Sequence, residues 1–356
     1  MQPLNILVLP GDGIGPEITA AAMQVLMAVD KAFSLELAVE QADIGFTTLN
    51  RLGTTLPADV LEKARRSDGI ILGPISHMDY PARDQGGVNV SAALRIGLDL
   101  YANIRPARCR PGLSKTGADM DLVIMRENTE GFYADRNMFA GSGEFMPTAE
   151  VALSVRKITA FACSRIARRS FEMACRRRKK VTAVHKANNL ILTDGLFLRE
   201  VRKVAREFPD VVLEEVLVDA MAALLVRRPD TFDVVVTTNL YGDILSDLAS
   251  ELSGSIGLAG SLNAGDGSAA AQAQHGSAPE IAGKDQANPT SLILSTAMLL
   301  SWLGERSGRE NLVAAGRAVD RSVDITLQHP GHRTKDLGGS LGTREFAEAV
   351  VGSIPE

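Results

Sequence analysis

The chain has 356 residues, which is too long for one ordinary hydrophobic core and about right for two domains. Hydrophobic residues make up 45% of it and charged residues 23%, a balance typical of globular rather than disordered proteins. The formal net charge of -5 argues against nucleic acid as the main partner, because phosphate binding needs a basic surface.

The cysteines and apolar runs bear on the cellular compartment. Cys109, Cys163 and Cys175 are too few and too scattered for a disulfide framework or a zinc site. Cys163 and Cys175 could pair in principle, but free thiols are expected. The N-terminus lacks the pattern of a signal peptide, and the apolar run 292–303 is too short to span a bilayer. We therefore expect a cytoplasmic protein without a membrane partner.

Short apolar strands alternate with amphipathic helices along the chain. A first strand at 5–9 leads through a turn to a helix that Pro16 opens. Further strands are expected at 69–72, 122–125, 181–184 and 232–237. This alternation predicts an α/β fold with a largely parallel sheet. Two Gly-rich segments interrupt the pattern, and we expect a mobile loop at 264–276 and an arm or short hairpin at 140–147.

The strongest charge run is RRRKK at 176–180. Cations favour the C-terminus of a helix, so the run predicts a helix end followed by the strand at 181–184. The alternative is a nucleic-acid patch, but no aromatic residues accompany the run as they do in such patches.

Three glycines follow the first strand and precede a helix, as glycines do in dinucleotide-binding loops. Their positions are Gly11, Gly13 and Gly15, and Pro16 comes directly after them. The spacing therefore differs from G-x-G-x-x-G. A tight strand-to-helix turn that needs positive φ explains the same glycines, with Asp12 near the helix dipole.

Two carboxylates at helical spacing suggest a cation site. Asp243 and Asp247 are four residues apart, so a helix beginning near Gly242 puts both on one face. Two like charges repel unless a cation lies between them, and oxygen ligands suit Mg²⁺ or Mn²⁺. Asp219, at the end of another apolar run, is a candidate third ligand. Acids that only complement the dipole at a helix start would show the same spacing.

Arginines and a tyrosine–lysine combination suggest acid chemistry. Arg95, Arg105 and Arg126 lie beside predicted strand or helix ends. Three converging guanidinium groups would suit a di- or tricarboxylic substrate, although any one alone suits a surface ion pair. Tyr133 and Lys186 are candidates for proton transfer. Taken singly, the tyrosine suits core packing and the lysine a solvated face.

Together these motifs resemble one family, the β-decarboxylating dehydrogenases, which include isocitrate, isopropylmalate, homoisocitrate, tartrate and D-malate dehydrogenases. The likeness covers nearly the whole chain. Its motifs are LPGDGIGPE at 9–17, ALR at 93–95, LYANIRP at 100–106, RENTEGFY at 126–133, HKANN at 185–189, VDA at 218–220, TTNLYGDILSDL at 237–248, HGSAPEIAGKDQANPTS at 275–291 and RTKDLGG at 333–339.

The resemblance implies an α/β fold of the isopropylmalate dehydrogenase type with two domains, distinct from the Rossmann fold. A discontinuous large domain, 1–98 plus 255–356, would lie on the cofactor side. A small central domain, 99–254, would carry the dimer interface and an arm. The resemblance also implies an obligate homodimer in which the partner subunit's Lys186 and Asp219 complete each active site.

The implied activity is NAD-dependent oxidative decarboxylation of a 2-hydroxy acid that bears a 3-carboxylate, assisted by Mg²⁺ or Mn²⁺. Lys186 would be the base for the 2-hydroxyl, and Tyr133 the acid that protonates the enol. The metal ligands would be Asp219, Asp243 and Asp247. The substrate-binding residues would be Asn89, Ser91, Arg95, Arg105, Arg126 and Asn188, the last also placing the nicotinamide.

The segment 275–291 resembles the family's cofactor loop. Glu280 stands where NAD-using members have Asp, and a carboxylate there can accept the adenosine ribose hydroxyls. It would repel a 2′-phosphate, so NAD is expected rather than NADP. Asn288 would contact adenine. The expected cofactor-binding residues are His275, Gly276, Ser277, Ala278, Glu280, Ile281 and Asn288.

Two segments depart from the family's pattern. AQAQHG at 271–276 replaces an acidic FEPVHG, with Gln272 in place of Glu, which affects contacts on the nicotinamide side. In the specificity segment, polar Asn89 and Ser91 favour a polar or small substrate group over isopropyl.

An alternative function is a non-catalytic regulatory subunit of a hetero-oligomeric dehydrogenase. Such a subunit would keep the fold and lose catalytic residues, whereas the proposed acid, base and metal-binding aspartates are all present.

Overall fold

The computed structural model describes residues 3–110, 112–115, 119–133, 138 and 141–355. The chain divides into two compact units, each with its own strands and helices. Unit 1 comprises Met1–Leu100, Arg110–Leu113 and Ser255–Glu356, and unit 2 comprises Tyr101–Cys109 and Ser114–Gly254.

The described strands and helices alternate as the apolar pattern predicts. The strands are β1 (Leu4–Leu9), β2 (Leu37–Gln41), β3 (Gly69–Leu72), β4 (Ala102–Arg108), β5 (Asp121–Glu127), β6 (Glu144–Thr148), β7 (Val151–Ser154), β8 (Lys180–His185), β9 (Val212–Leu217), β10 (Val234–Thr237), β11 (Leu262–Ala264) and β12 (Ala269–Gln272). The helices are α1 (Gly15–Phe33), α2 (Phe46–Leu52), α3 (Ala58–Arg66), α4 (Val90–Gly97), α5 (Ala160–Cys175), α6 (Thr193–Ala205), α7 (Val218–Arg227), α8 (Asn239–Ser253), α9 (Thr290–Ser307), α10 (Glu310–Gln328) and α11 (Thr343–Val351).

The strands of unit 1 are mainly parallel. Their order is β2-β1-β3-β12-β11, with β1 parallel to β2 and β3, and β12 parallel to β3. Only the β11–β12 pair of this set is antiparallel. Strand β3 is buried along its whole length, and Ile70 and Leu72 pack with Leu7 and Leu94 in one core. A strand covered on both faces needs a continuous apolar sequence, and β3 has one.

Five strands of unit 2 lie side by side. Their order is β4-β5-β10-β8-β9, with β10 parallel to β5 and β8, β8 parallel to β9, and β4 antiparallel to β5. Ile124, Val184, Phe232 and Leu245 share its core. The predicted α/β class with a largely parallel sheet is confirmed in both units.

The arm predicted at 140–147 corresponds to an exposed hairpin. Strands β6 and β7 form a separate antiparallel pair that begins at Glu144, so the hairpin lies further along the chain than the predicted range. Ala140 lies outside the described residues.

The prediction of a loop at 264–276 is wrong for the central part of that range. Residues 269–272 form β12, a strand between β3 and β11, and Ala269, Ala270 and Ala271 are almost wholly buried. Alanine favours strands weakly, so a run of small residues does not show strand periodicity. Small side chains nevertheless allow close packing, and β12 packs against α9.

The cation run 176–180 behaves as predicted. Helix α5 ends at Cys175 and strand β8 begins at Lys180, so the run joins the two. Arg177 donates to Asp233 at 2.8 Å and to the carboxylate of Asp121 at 2.9 Å. Arg177 therefore has carboxylate partners within unit 2.

All three cysteines are free thiols, as expected, with Cys163 buried and Cys175 exposed. In the described part of the chain, no helix combines the length and apolarity that crossing a membrane requires.

Candidate active site

The glycine-rich turn between β1 and α1 is held by contacts within unit 1. Asp12 accepts the N–H of Ser76 at 3.1 Å and the hydroxyl of Tyr80. Gly13 has a positive φ of 58°, and a Cβ there would lie 2.0 Å from the carbonyl oxygen of Ser277. Glycine is thus required by backbone conformation and close approach. These contacts favour the structural interpretation of the turn over a dinucleotide-binding one.

Five predicted site residues meet in one cluster of unit 2. Nη1 of Arg105 lies 3.2 Å from Oδ1 of Asp243 and 3.2 Å from Oδ1 of Asp247. Arg126 donates to Asp243 and, through Nη2, to the hydroxyl of Tyr133 at 3.1 Å. The Tyr133 hydroxyl in turn donates to Oδ2 of Asp243 at 2.7 Å. We call these residues the acid–arginine cluster.

Helix α8 brings the two carboxylates to the cluster. It begins at Asn239, three residues before the predicted start near Gly242, and it places Asp243 and Asp247 on one face as predicted. A Cβ at Gly242 would lie 2.6 Å from the Cβ of Arg126. Glycine therefore lets the helix approach the end of β5 closely enough for the arginine and carboxylate to meet.

Two further residues of α8 support the arginines and were not predicted. Asn239 accepts from Nε of Arg126 at 2.8 Å, and Ser246 accepts from Nη1 of Arg105 at 2.6 Å. Both lie at helical spacing from Asp243, so the helical face that suggested a metal site could also have indicated these acceptors.

The arginines of the cluster are more deeply buried than its carboxylates. The side chains of Arg105 and Arg126 are 8% and 2% exposed, whereas that of Asp247 is 51% exposed. Burial, followed by the charge of Arg126, lowers the pKa of Arg105 to about 10, so the guanidinium stays charged at neutral pH. Two cations and two carboxylates compensate one another here. A ligand that supplies a carboxylate or a cation can therefore exchange with these contacts.

The donor chemistry of the cluster suits a divalent cation. Carboxylate oxygens are the ligands that Mg²⁺ and Mn²⁺ prefer, and Asp243 and Asp247 present theirs around a shared cation, Nη1 of Arg105. Within the part of the chain that the structure describes, no group of three His, Cys, Asp or Glu side chains could hold a metal ion.

Lys186 and Asp219 form a pair of their own. Nζ of Lys186 lies 2.6 Å from Oδ1 of Asp219, whose side chain is 64% exposed. The hydrogen bond from Lys186 lowers the pKa of Asp219. Lys186 follows β8, and Asn188 is exposed in the turn after it. Within one chain the structure thus brings the predicted base to the predicted third metal ligand, without grouping Asp219 with Asp243 and Asp247.

The predicted substrate residues of unit 1 lie on α4. Asn89 caps that helix, its Oδ1 accepting an N–H of the first turn at 3.0 Å. Ser91 donates to Oε1 of Gln272 at 3.0 Å, and Nη2 of Arg95 lies 3.5 Å from the same atom. Asn263 is a further donor at 3.3 Å. Gln272, the departure from the family's glutamate, thus joins α4 to β12.

The predicted cofactor loop is anchored at both ends. Its beginning is fixed by the 2.7 Å hydrogen bond between the hydroxyls of Ser277 and Ser76. Towards its end, Asn288 donates to Asp336 at 3.0 Å and accepts the N–H of Thr290 at 3.0 Å. Between them, Glu280 is exposed on a short 3₁₀ turn.

His275 and its neighbours leave polar groups and space for a ligand. Nδ1 of His275 lies 3.0 Å from the carbonyl oxygen of Gly276, and Nε2 is buried without a hydrogen-bond partner among the described residues. Burial lowers the pKa of His275. Ala278 adopts a left-handed φ of 36°, and a Cβ at Gly276 would meet no atom within 4 Å. A buried nitrogen without a partner is uncommon in folded proteins, and a bound cofactor would satisfy it.

Comparisons with known proteins show the family and the fold to which the chain is similar. A family model described as isocitrate/isopropylmalate dehydrogenase matches residues 5–350. The isocitrate/homoisocitrate dehydrogenase of Thermus thermophilus is 43% identical over 98% of each chain. The 3-isopropylmalate dehydrogenase of Saccharolobus solfataricus is 37% identical over 97% of this chain and 98% of that one. A crystal structure of isocitrate dehydrogenase from Methylococcus capsulatus has a TM-score of 0.87 at 39% identity, covering 99% of this chain and 100% of that chain.

These likenesses define an oxidoreductase with the mixed α/β fold of isocitrate dehydrogenase-like proteins. The chain belongs to the isocitrate/isopropylmalate dehydrogenase family, the β-decarboxylating dehydrogenases. The family and fold class predicted from the motifs are confirmed.

Proposed function

We propose that the protein catalyses NAD-dependent oxidative decarboxylation of a 2-hydroxy acid that bears a 3-carboxylate, assisted by Mg²⁺ or Mn²⁺. The acid–arginine cluster is the observation that carries this proposal. It combines two buried guanidiniums, two carboxylates and a tyrosine hydroxyl within hydrogen-bonding distance. This set contains the charges that an anionic substrate and a divalent cation require.

Arg105 and Arg126 would bind substrate carboxylates. Both are buried, so they are weakly screened by water, and each presents a planar donor fork. Arg95 of unit 1 keeps its predicted role in substrate binding. Nη2 of Arg95 lies 3.5 Å from Oε1 of Gln272.

Asp243 and Asp247 would hold the metal ion, together with the partner subunit's Asp219. The ion, when bound, supplies Lewis-acid stabilisation of the negative charge that develops on the 2-oxo oxygen. Arg105 and Arg126 contact these carboxylates and would be available to the substrate when the aspartates hold a metal ion.

Lys186 and Tyr133 would transfer the protons. The Nζ of Lys186 would accept the 2-hydroxyl proton, and NAD, when bound, would take up the hydride from C2. The bond between C3 and its carboxylate then breaks, carbon dioxide leaves, and the electron pair forms the enolate. The Tyr133 hydroxyl, held by Arg126 at 3.1 Å, donates a proton that completes the reaction at C3.

We infer that the active unit is a homodimer, with Lys186 and Asp219 supplied across the interface. Their 2.6 Å contact supports this, because a partner that supplies one would supply the other. Large apolar side chains are exposed beside Lys186 and beside Asp243: Ile191 and Leu192 follow the Lys186 turn, and Ile244 adjoins Asp243. Exposed apolar groups at such positions are typical of protein interfaces.

NAD is the proposed cofactor, and the loop 275–288 is its proposed site. The carboxylate of Glu280 is exposed and would repel a 2′-phosphate while accepting ribose hydroxyls. The remaining predicted contacts are His275, Gly276, Ser277, Ala278, Ile281 and Asn288. We also propose that units 1 and 2 correspond to the large and small domains inferred from the motifs, and that the protein is cytoplasmic.

An activity screen tests the proposal. Purified protein is assayed with isocitrate, homoisocitrate, isopropylmalate, tartrate and D-malate, each with NAD or NADP and with Mg²⁺ or Mn²⁺. We expect NAD to be preferred by at least about tenfold in kcat/KM, which corresponds to about 1.4 kcal/mol. Polar Asn89 and Ser91 lead us to expect less activity on isopropylmalate. Folded protein without turnover on any of these acids would favour the regulatory-subunit alternative.

Subunit complementation tests the shared site. If Lys186 acts in the partner's site, a heterodimer of Lys186→Met and Tyr133→Phe chains has one site with both lesions and one with neither. Co-expression of differently tagged chains and tandem purification would then yield up to half the parent activity. Heterodimers as inactive as either homodimer would contradict the exchange of Lys186 across the interface.

A further inference from the structure

Lys186 is attached to a buried ion pair that the proposed chemistry does not use. Asp194, in the first turn of α6, is completely buried. One of its carboxylate oxygens accepts the backbone N–H of Lys186, and the other accepts from Nη1 of Arg156. The side chain of Arg156 is 6% exposed. Both charges are thus withdrawn from water within unit 2.

Arg156 connects this pair to two other segments of the same unit. Its Nη2 donates to the hydroxyl of Thr238, the N-cap residue of α8, at 2.8 Å. The guanidinium also lies over the rings of Phe132, at 5.5 Å, and Tyr241, at 5.2 Å. Phe132 immediately precedes Tyr133, and α8 carries the proposed metal ligands. One guanidinium therefore joins the Lys186 turn, which would serve the partner's site, to the two segments that would carry the acid and the carboxylates of the chain's own site.

The backbone of Lys186 is held on both sides. Its N–H is bound by Asp194, and its carbonyl oxygen accepts the N–H groups of Asn189 at 3.0 Å and Leu190 at 2.8 Å. The two hydrogen bonds to the carbonyl oxygen of Lys186 close the turn without a charged side chain. Burying an ion pair costs desolvation energy. Apolar residues of similar volume often stabilise a fold at least as much as the buried pair does. A contribution to stability therefore explains the Arg156–Asp194 pair less well than the position that the pair imposes on the Lys186 turn.

We propose that Arg156 and Asp194 are positioning residues that fix the Lys186 turn relative to the start of α8 and the Tyr133 segment. The proposal rests on the function given above, in which Lys186 accepts the hydroxyl proton in the partner's site, so the two residues would fix where the Lys186 turn enters that site. Asp194 acts through the backbone of Lys186, and Arg156 acts through Asp194. Neither side chain touches the substrate.

Single-turnover measurements of hydride transfer test this role, with enzyme in excess over the hydroxy acid and the rise in reduced-cofactor absorbance as the signal. The hydroxy acid, as the limiting reactant, sets the amplitude. At saturating concentrations of folded enzyme and cofactor, the rate constant reports the chemical step in the bound complex and does not depend on the amount of folded protein. We expect Asp194→Asn to lower the rate constant by about 10- to 10²-fold, since displacement of a catalytic group by about 1 Å has effects of this size. Arg156→Lys retains the charge but not the planar fork, and we expect a loss of about tenfold.

Asp233→Asn is the matched control. Asp233 is also buried in unit 2, accepts from Nε of Arg177 at 2.8 Å and accepts the backbone N–H of Arg178 at 2.8 Å. It has the same kinds of partner as Asp194 but no contact with Lys186. We expect this substitution to destabilise the protein while its rate constant stays within about twofold of the parent value.

The outcomes separate this inference from the proposed function. A parent-like rate constant in Asp194→Asn and Arg156→Lys, together with loss of hydride transfer in Lys186→Met, would overturn the inference alone. Equal losses of rate constant in Asp194→Asn and Asp233→Asn would also overturn it, because the effect would then be structural. A parent-like rate constant in Lys186→Met would remove the base role itself, and the inference with it.

Discussion

An aspartate accepts a hydrogen bond from a tyrosine hydroxyl in each unit of the molecule, in two different settings. In unit 1, Asp12 accepts from Tyr80 and is 6% exposed. Its other donors include the backbone N–H groups of Phe46, at 2.8 Å, and Ser76, at 3.1 Å. In unit 2, Asp243 accepts from Tyr133, and its side chain is 35% exposed.

The donors distinguish the two aspartates. Backbone amides hold Asp12, and they cannot be exchanged for a ligand without moving the chain. Guanidinium groups of Arg105 and Arg126 hold Asp243, and charged side chains can exchange partners when an anion or a metal ion binds. An aspartate–tyrosine contact therefore indicates structure or chemistry according to what else the carboxylate binds.

Removing the carboxylate of Asp243 should have the largest effect. We expect Asp243→Asn to lower kcat/KM by about 10³-fold, because a ligand that stabilises developing charge is lost. Calorimetric titration should show weakened Mn²⁺ binding in the same variant. Chelation of divalent ions should abolish turnover of the parent enzyme, and added Mg²⁺ or Mn²⁺ should restore it. Full activity in metal-free buffer would contradict this role for the aspartates.

Removing each tyrosine hydroxyl tests whether the two aspartate–tyrosine contacts differ in function. Tyr133→Phe should slow turnover by at least about 10²-fold, the usual contribution of a positioned acid. Tyr80→Phe removes a hydroxyl of the same kind from Asp12, so it should leave kcat within about twofold and reduce stability by about 1 kcal/mol. Steady-state kinetics and urea unfolding of both variants give the answer. Equal kinetic effects would show that the two pairs do not differ in function.

The parts of the fold and of the site that depend on local sequence pattern could be predicted from the sequence. The strand at 69–72 has its predicted bounds, because a fully buried strand is a continuous apolar run. The shared face of Asp243 and Asp247 followed from helical spacing alone. The family motifs indicated three arginines and a tyrosine, and the structure brings Arg105, Arg126 and Tyr133 together with the two aspartates.

What could not be predicted depends on contacts between distant residues. Asp12 meets Ser76 across 64 positions, and no local pattern shows that its partners are backbone amides. Strand β12 is specified by packing against α9, which its alanines do not reveal. The joining of Ser91 and Arg95 by Gln272 likewise spans more than 170 positions. Helix α8 begins earlier than expected, and its first residue, Asn239, accepts from Arg126, a residue 113 positions away.

Removing the charge of Asp12 should affect stability rather than chemistry. Asp12→Asn keeps the size of the side chain but leaves it one acceptor oxygen. In the parent protein, the N–H groups of Phe46 and Ser76 and the hydroxyl of Tyr80 are distributed over two carboxylate oxygens. We expect a loss of about 1–3 kcal/mol in the free energy of unfolding, because a buried donor is left without its partner. The kcat of the folded fraction should change by less than about threefold. A larger loss of kcat at unchanged stability would assign Asp12 to the catalytic machinery.

The smallest expected effect is a difference in alkaline stability between the parent protein and Tyr80→Phe. Burial and the hydrogen bond to Asp12 raise the pKa of Tyr80 above its ordinary value of 10.0. Below about pH 10 the hydroxyl is protonated in both the folded and the unfolded chain, so the contribution of Tyr80 to stability is fully present. Above about pH 10 the unfolded chain binds fewer protons than the folded one, and stability falls as pH rises towards the folded-state pKa.

Tyr80→Phe has no such proton to lose, so its stability should decline less steeply over this range. Tyr241 and Cys163 also have raised pKa values, caused first by burial, but they contribute equally to both proteins and cancel in the difference. Urea midpoints measured at about pH 8, 9, 10 and 10.5 would show the two curves converging above about pH 10. Parallel curves would mean that the Tyr80 hydroxyl ionises as readily in the folded protein as in the unfolded one. The buried contact between Tyr80 and Asp12 would then not account for the stability of the turn.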